Sequence, residues 1–151
     1  MRKIKYLLIF LGFFIISSCK KDKDETVVVK DFTLKALTSK SWKAVLDDGN
    51  VSVNPKAGTY MYYALHLWEY DDIITFRTDD KVNYNYGVSK APDYLQMPEL
   101  KTYSIDLANK ILIIDGVRYQ ILELSSSRLK YSLAVTIGGT NTNLVYMFEH
   151  P

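Results

Sequence analysis

Apolar and polar residues alternate along most of the second half of this chain. Leu129, Tyr131, Leu133, Val135 and Ile137 interleave with Arg128, Lys130, Ser132, Ala134 and Thr136. A period of two places one set toward a core and the other toward water, which predicts a half-buried strand. Val82, Tyr84 and Tyr86 alternate with Lys81, Asn83 and Asn85 in the same way, as do Tyr103 and Ile105 with Ser104 and Asp106. Leu144, Tyr146 and Phe148 continue the pattern near the end.

Turn-forming residues fall between these runs. Asp79-Asp80 separates Ile73–Arg77 from Lys81–Gly87, and Asn109 separates Thr102–Leu107 from Lys110–Ile114. Asp115-Gly116 joins Ile111–Ile114 to Val117–Leu122 and is the strongest hairpin signal, since glycine tolerates positive φ. Gly138-Gly139-Thr140-Asn141 closes the last hairpin. Connections this short join antiparallel neighbours, because a parallel pair needs a long crossover. With Trp42–Asp47 as the first strand the count is eight. An up-and-down meander of eight short strands predicts an all-β antiparallel barrel, since closure alone removes exposed sheet edges. Thr59 to Glu69 resists the pattern: its apolar residues fit either period, and a short helix over one end of the barrel is expected there, with a ninth strand as the alternative. Val88–Leu100, with Pro92 and Pro98, reads as a long loop of the kind that often carries function.

The amino terminus follows different rules. Arg2, Lys3 and Lys5 precede an apolar run from Tyr6 to Ile16, broken only by Gly12, and Ser17, Ser18 and Cys19 follow it. A basic start, a short apolar segment and small residues before a break are the parts of a secretory signal. The run is too short for a permanent span of the roughly 30 Å hydrocarbon core. From Lys20 to Glu25 every residue is charged, which reads as a solvated tether. The expected organisation is a signal peptide over 1–18, a tether over 19–36 led by Cys19, and one domain over 37–151; Thr33 to Thr38 is expected to form a short helical lead-in.

This division changes the charge. The 151-residue chain carries a formal +2, but the signal removes three bases and no acid. The remaining 133 residues hold 16 Lys+Arg against 17 Asp+Glu, a formal −1. No basic cluster interleaved with aromatics remains, so nucleic acid is not an expected partner. A single cysteine rules out an internal disulfide and a zinc site made of several thiolates.

Ile16-Ser17-Ser18-Cys19 resembles the lipobox of bacterial lipoproteins. The resemblance implies cleavage after Ser18, diacylglyceryl attachment to the Cys19 sulfur and acylation of the new amino terminus. It therefore implies an outer-membrane lipoprotein of the cell envelope, held by several fatty acyl chains. The charged stretch after Cys19 is similar in character to those of surface-exposed lipoproteins. Ser41-Trp42-Lys43, Tyr70-Asp71-Asp72-Ile73-Ile74-Thr75-Phe76, Ile113-Ile114-Asp115-Gly116 and Tyr119-Gln120-Ile121-Leu122-Glu123-Leu124 resemble the small lipocalin-like domains of such lipoproteins. Lys40 stands where typical lipocalins carry glycine.

Catalytic patterns are sparse. His66 and His150 are the only histidines, and the sequence has no Gly-x-Ser-x-Gly elbow, no His-Glu-x-x-His and no phosphate-binding glycine loop, so neither a metal nor another cofactor is expected. Asp71-Asp72 and Asp79-Asp80 are adjacent pairs, and neighbours in a strand point to opposite faces. Their plainer roles are starting a strand and forming a turn. Tyrosine is the unusual component: eleven remain after the signal, beside Trp42 and Trp68. An eight-stranded barrel either fills itself with side chains or holds one small ligand. Trp42, Tyr84, Tyr86, Tyr103, Tyr131 and Tyr146 are the residues expected to line a ligand cavity, with core packing as the alternative role. The functional expectation is a non-catalytic, membrane-anchored protein binding a small apolar or amphipathic ligand. One alternative is a module docking another envelope protein through its outer surface; a second is an enzyme or inhibitor acting through residues 88–100.

Overall fold

The computed structural model describes residues 33–89 and 99–151. The expected signal peptide, Cys19, the charged run after it and the centre of the 88–100 loop lie outside the described residues. Within them the chain forms one short α-helix, α1 (Leu34–Thr38), one 3-10 turn (Val51–Val53) and nine strands. These are β1 (Ser41–Ala44), β2 (Tyr60–Tyr62), β3 (Ile73–Phe76), β4 (Lys81–Asn85), β5 (Glu99–Asp106), β6 (Ile111–Ile114), β7 (Val117–Leu124), β8 (Arg128–Ile137) and β9 (Thr140–Glu149).

Eight of the strands make a closed antiparallel barrel in the order β1-β3-β4-β5-β6-β7-β8-β9, as the alternation predicts. Closure falls to β1, which pairs with β3 through Trp42↔Ile74 and with β9 through Ala44↔Phe148. Asp115 and Gly116 form the β6–β7 turn with φ of 51° and 82°, and Gly138 and Gly139 form the β8–β9 turn with 57° and 81°. Positive φ at both central positions matches the twist of the flanking strands, which is why these dipeptides stand there.

The expected helix over residues 59–69 is not formed. Tyr60–Tyr62 instead builds β2, which runs parallel to β9 with Tyr60↔Asn143 and Tyr62↔Val145 in register. Parallel pairing needs a long connection between the partners, and β2 and β9 are separated by all of β3 to β8; β2 itself is brought to this edge by residues 45–59. They leave the wall after β1, cross the outer face of β8, where Asp48, Asn50 and Asn54 all contact the Lys130 ammonium, and return as β2. This excursion also corrects the reading of β8. Lys130 and Ser132 lie on the face expected to meet water, yet both are buried, Lys130 completely.

One end of the barrel is plugged. Thr33 caps α1 by accepting a hydrogen bond from the Ala36 N–H at 3.0 Å. The helix buries Ala36 and Leu37 against a core that includes Trp42, Phe76, Leu124 and Leu129. Trp42 Nε1 donates to the Leu37 carbonyl at 2.9 Å, and Lys40 Nζ to the Ser126 carbonyl at 2.8 Å, tying the lead-in to the barrel's closed end. Tyr103 belongs to this end: its ring packs edge-on to Phe76 at 5.1 Å and its hydroxyl donates to the Arg77 carbonyl at 2.6 Å.

A tyrosine-lined candidate binding site at the open end

The opposite end holds a cavity of about 240 Å³. Its wall combines Ala44 and Val45 at the end of β1, Ile74 of β3, Tyr84 and Tyr86 around the end of β4, Tyr119 of β7, Tyr131 of β8 and Val145 to Phe148 of β9. Tyr63, Leu65, Glu69 and Asp72 reach it from the loop that follows β2. The gap in the β9 pairing explains where the cavity sits. β1 leaves β9 after Ala44, with Val45 N–H donating to the Met147 carbonyl, and the chain rejoins with Tyr63 N–H donating to the Val145 carbonyl at 2.8 Å. Between the two contacts the wall is opened by one chain departing and another arriving.

The aromatic rings touch one another around the wall. Tyr63 stacks on Tyr146 with centroids 4.8 Å apart, Tyr131 lies 5.4 Å from Tyr146, and Tyr119 meets Tyr131 edge-on at 5.0 Å. Such pairs each contribute about 0.5–1.5 kcal/mol beyond burial. Tyr63 donates to Glu69 Oε1 at 2.8 Å and Tyr86 to Glu99 Oε2 at 2.9 Å. Among the described residues the hydroxyls of Tyr84, Tyr119, Tyr131 and Tyr146 have no hydrogen-bond partner, although Tyr131 is only 4% exposed. Burial pushes all of these phenols above their ordinary range, most strongly at Tyr131, where neighbouring Tyr84, Tyr119 and Tyr146 add to it. Tyr86 is pushed up to about 12 by burial and by its bond to Glu99. At neutral pH the wall therefore presents neutral rings and O–H donors.

Three acids hold the rim in shape. Glu69 accepts from the His66 N–H at 2.7 Å through Oε2, closing the 66–69 turn while its other oxygen takes the Tyr63 hydroxyl. The Asp71-Asp72 pair starts β3 and grips the chain leaving β4. Asp71 accepts from Val88 N–H and Ser89 N–H at 2.8 and 3.1 Å, and Asp72 from Gly87 N–H at 3.1 Å. The Ser89 N–H and then the Val88 N–H hold the Asp71 carboxyl below its ordinary range against the opposing effect of burial. Gly87 is needed here, because a Cβ would sit 2.1 Å from the Asp71 carboxyl carbon. Asp79 and Asp80 serve the β3–β4 turn: Asp79 pairs with Arg77 at 2.7 Å, and Asp80 takes φ of 59°.

Neither a family model, a curated protein nor a solved structure matches this chain. The chemistry of the site is carried by the side chains themselves. Of the six residues expected to line a cavity, Tyr84, Tyr86, Tyr131 and Tyr146 do so, while Trp42 and Tyr103 lie away from it in the packed end. Tyr63, Tyr119 and Glu69 complete the wall and were not anticipated. Tyr119 had a signal, since it alternates with Ile121 along β7; Tyr63 and Glu69 had none, because their loop is placed by β2. Of residues 88–100, Val88 and Ser89 are held by Asp71, and Glu99 and Leu100 open β5. His66 is exposed and stacks on Trp68 at 4.6 Å. Among the described residues no group of three His, Cys, Asp or Glu side chains is placed to hold a metal ion.

Proposed function

We propose that this chain is a membrane-anchored, lipocalin-like lipoprotein of the bacterial outer membrane whose barrel binds a small apolar or amphipathic ligand without catalysing its conversion. The observation that carries this reading is a cavity of about 240 Å³ walled by six tyrosines, four of which turn hydroxyls without a hydrogen-bond partner among the described residues toward accessible space. Hydroxyls that face accessible space without a protein partner are met by water or by a ligand that brings its own acceptor. At roughly 30 Å³ per water, the space matches roughly eight waters or one small organic molecule.

The described chain begins at Thr33, beside the plugged end, so the lead-in enters the barrel on the side opposite the cavity.

Two measurements test the two halves of this reading. Cys19→Ala should move the protein from the membrane fraction to the soluble fraction; retention in the membrane would overturn the lipid anchor. Native mass spectrometry of protein purified from its own cells should show a co-purifying small mass. Repeated preparations without one, combined with cross-links to a single envelope protein, would replace ligand binding with docking through the outer surface.

A further inference from the structure

Resting on the ligand-binding reading, we propose that the cavity is built for a small amphipathic organic cation, its ammonium beside Glu69 and its apolar body against the inner wall. Charge is the first ground. Among the described residues the charged side chains lining the cavity are Glu69 and Asp72, and no lysine, arginine or histidine lines it. Glu69 takes part in no ion pair among the described residues. Each of its oxygens accepts one hydrogen bond from the chain, from the Tyr63 hydroxyl and the His66 N–H. A carboxylate oxygen accepts two, so each retains one position for an incoming N–H.

The tyrosine rings supply the second ground. Their faces carry negative potential and attract a cation within about 6 Å of the centroid, most strongly where water is scarce. The chain already uses one ring of this wall in that way, with Lys101 Nζ 5.0 Å from the Tyr84 centroid. Deeper in, Ile74 and Phe148 offer an apolar surface for a hydrocarbon or aromatic body. An anion would meet the Glu69 carboxylate and ring faces of like sign. A neutral ligand would gain from the apolar wall but leave the acid unused.

Three near-isosteric probes separate these cases: phenylpropylamine as the cation, phenylpropanol as the neutral form and phenylpropionate as the anion. Each is titrated calorimetrically into the full chain in neutral detergent, with detergent alone as the blank. The amine should bind about tenfold more tightly than the alcohol, and the propionate most weakly. Glu69→Gln should bring the amine down to the level of the alcohol measured in the same variant, so that the amine-to-alcohol ratio falls from about tenfold to about one. If the alcohol or the propionate binds as well as the amine, the cation preference is overturned and the cavity remains a binding site. Loss of alcohol binding in Glu69→Gln would make that residue a prop of the rim and likewise overturn its role as the cation's partner. Failure of all three probes to bind saturably would overturn both the preference and the binding reading beneath it.

Discussion

Asp48→Ala should destabilise the barrel by about 3–5 kcal/mol, the usual consequence of leaving a buried charge without its partner. Lys130 has no exposed surface, and its ammonium meets the Asp48 carboxylate, the Asn50 carbonyl at 2.8 Å and Asn54 Oδ1 at 3.1 Å. Asp48 is in turn held by Asn54 Nδ2 and the Tyr62 hydroxyl, both at 2.8 Å, and by the Asn50 N–H at 2.9 Å. This cluster pins the 45–59 excursion to the outer face of β8 and keeps β2 against β9. Equilibrium urea unfolding reads the effect, and a loss under about 1 kcal/mol would show that the excursion does not depend on the pair. Adding Lys130→Met to Asp48→Ala should recover most of the loss, because an apolar side chain of similar length needs no counter-charge.

The same cluster sets an acid limit. Burial alone would raise the Asp48 carboxyl, but the Lys130 ammonium, Asn54, the Asn50 N–H and the Tyr62 hydroxyl outweigh it and hold the group well below its ordinary range. A carboxyl depressed by folding stabilises the folded state fully above its unfolded value of about 3.9. That contribution is lost as pH falls below this value toward the depressed one. Wild-type stability should therefore fall more steeply below about pH 4 than that of the Asp48→Ala, Lys130→Met pair.

Trp42→Ala should cost about 3–5 kcal/mol, as expected for emptying the space of a fully buried aromatic residue. Trp42 sits on β1, the strand that closes the barrel, and its indole N–H satisfies the carbonyl of Leu37 at the end of α1. Its loss therefore opens a hole in the plugged end and releases the helix from the wall. Trp42→Phe keeps much of the volume but leaves the Leu37 carbonyl without its donor, which should cost about 1–3 kcal/mol. Since β1 runs on into Ala44 and Val45 of the cavity wall, Trp42→Ala should also weaken probe binding, although Trp42 does not line the cavity. Stability within 1 kcal/mol of wild type in Trp42→Ala would refute the role given to this residue.

The local pattern specified eight strands, their antiparallel order and the turns between them. Each of those features is decided within a few residues, by alternation along a strand or by positive φ at Asp115-Gly116 and Gly138-Gly139. It also marked Tyr84, Tyr86, Tyr131 and Tyr146 as facing inward, because side chains two apart share a face. Tertiary structure decided the rest. β2 is a strand because β9 lies beside it in parallel, a partner far along the chain that no local period announces. Lys130 reads as solvent-facing from its position in β8 and is buried because a distant excursion brings Asp48, Asn50 and Asn54 over it. Glu69 became part of the cavity through the same detour. Period and turn chemistry act between neighbours, so the sequence by itself determined the barrel wall. What covers that wall on the outside and opens it at one end depends on contacts between residues far apart, and only the folded chain brings them together.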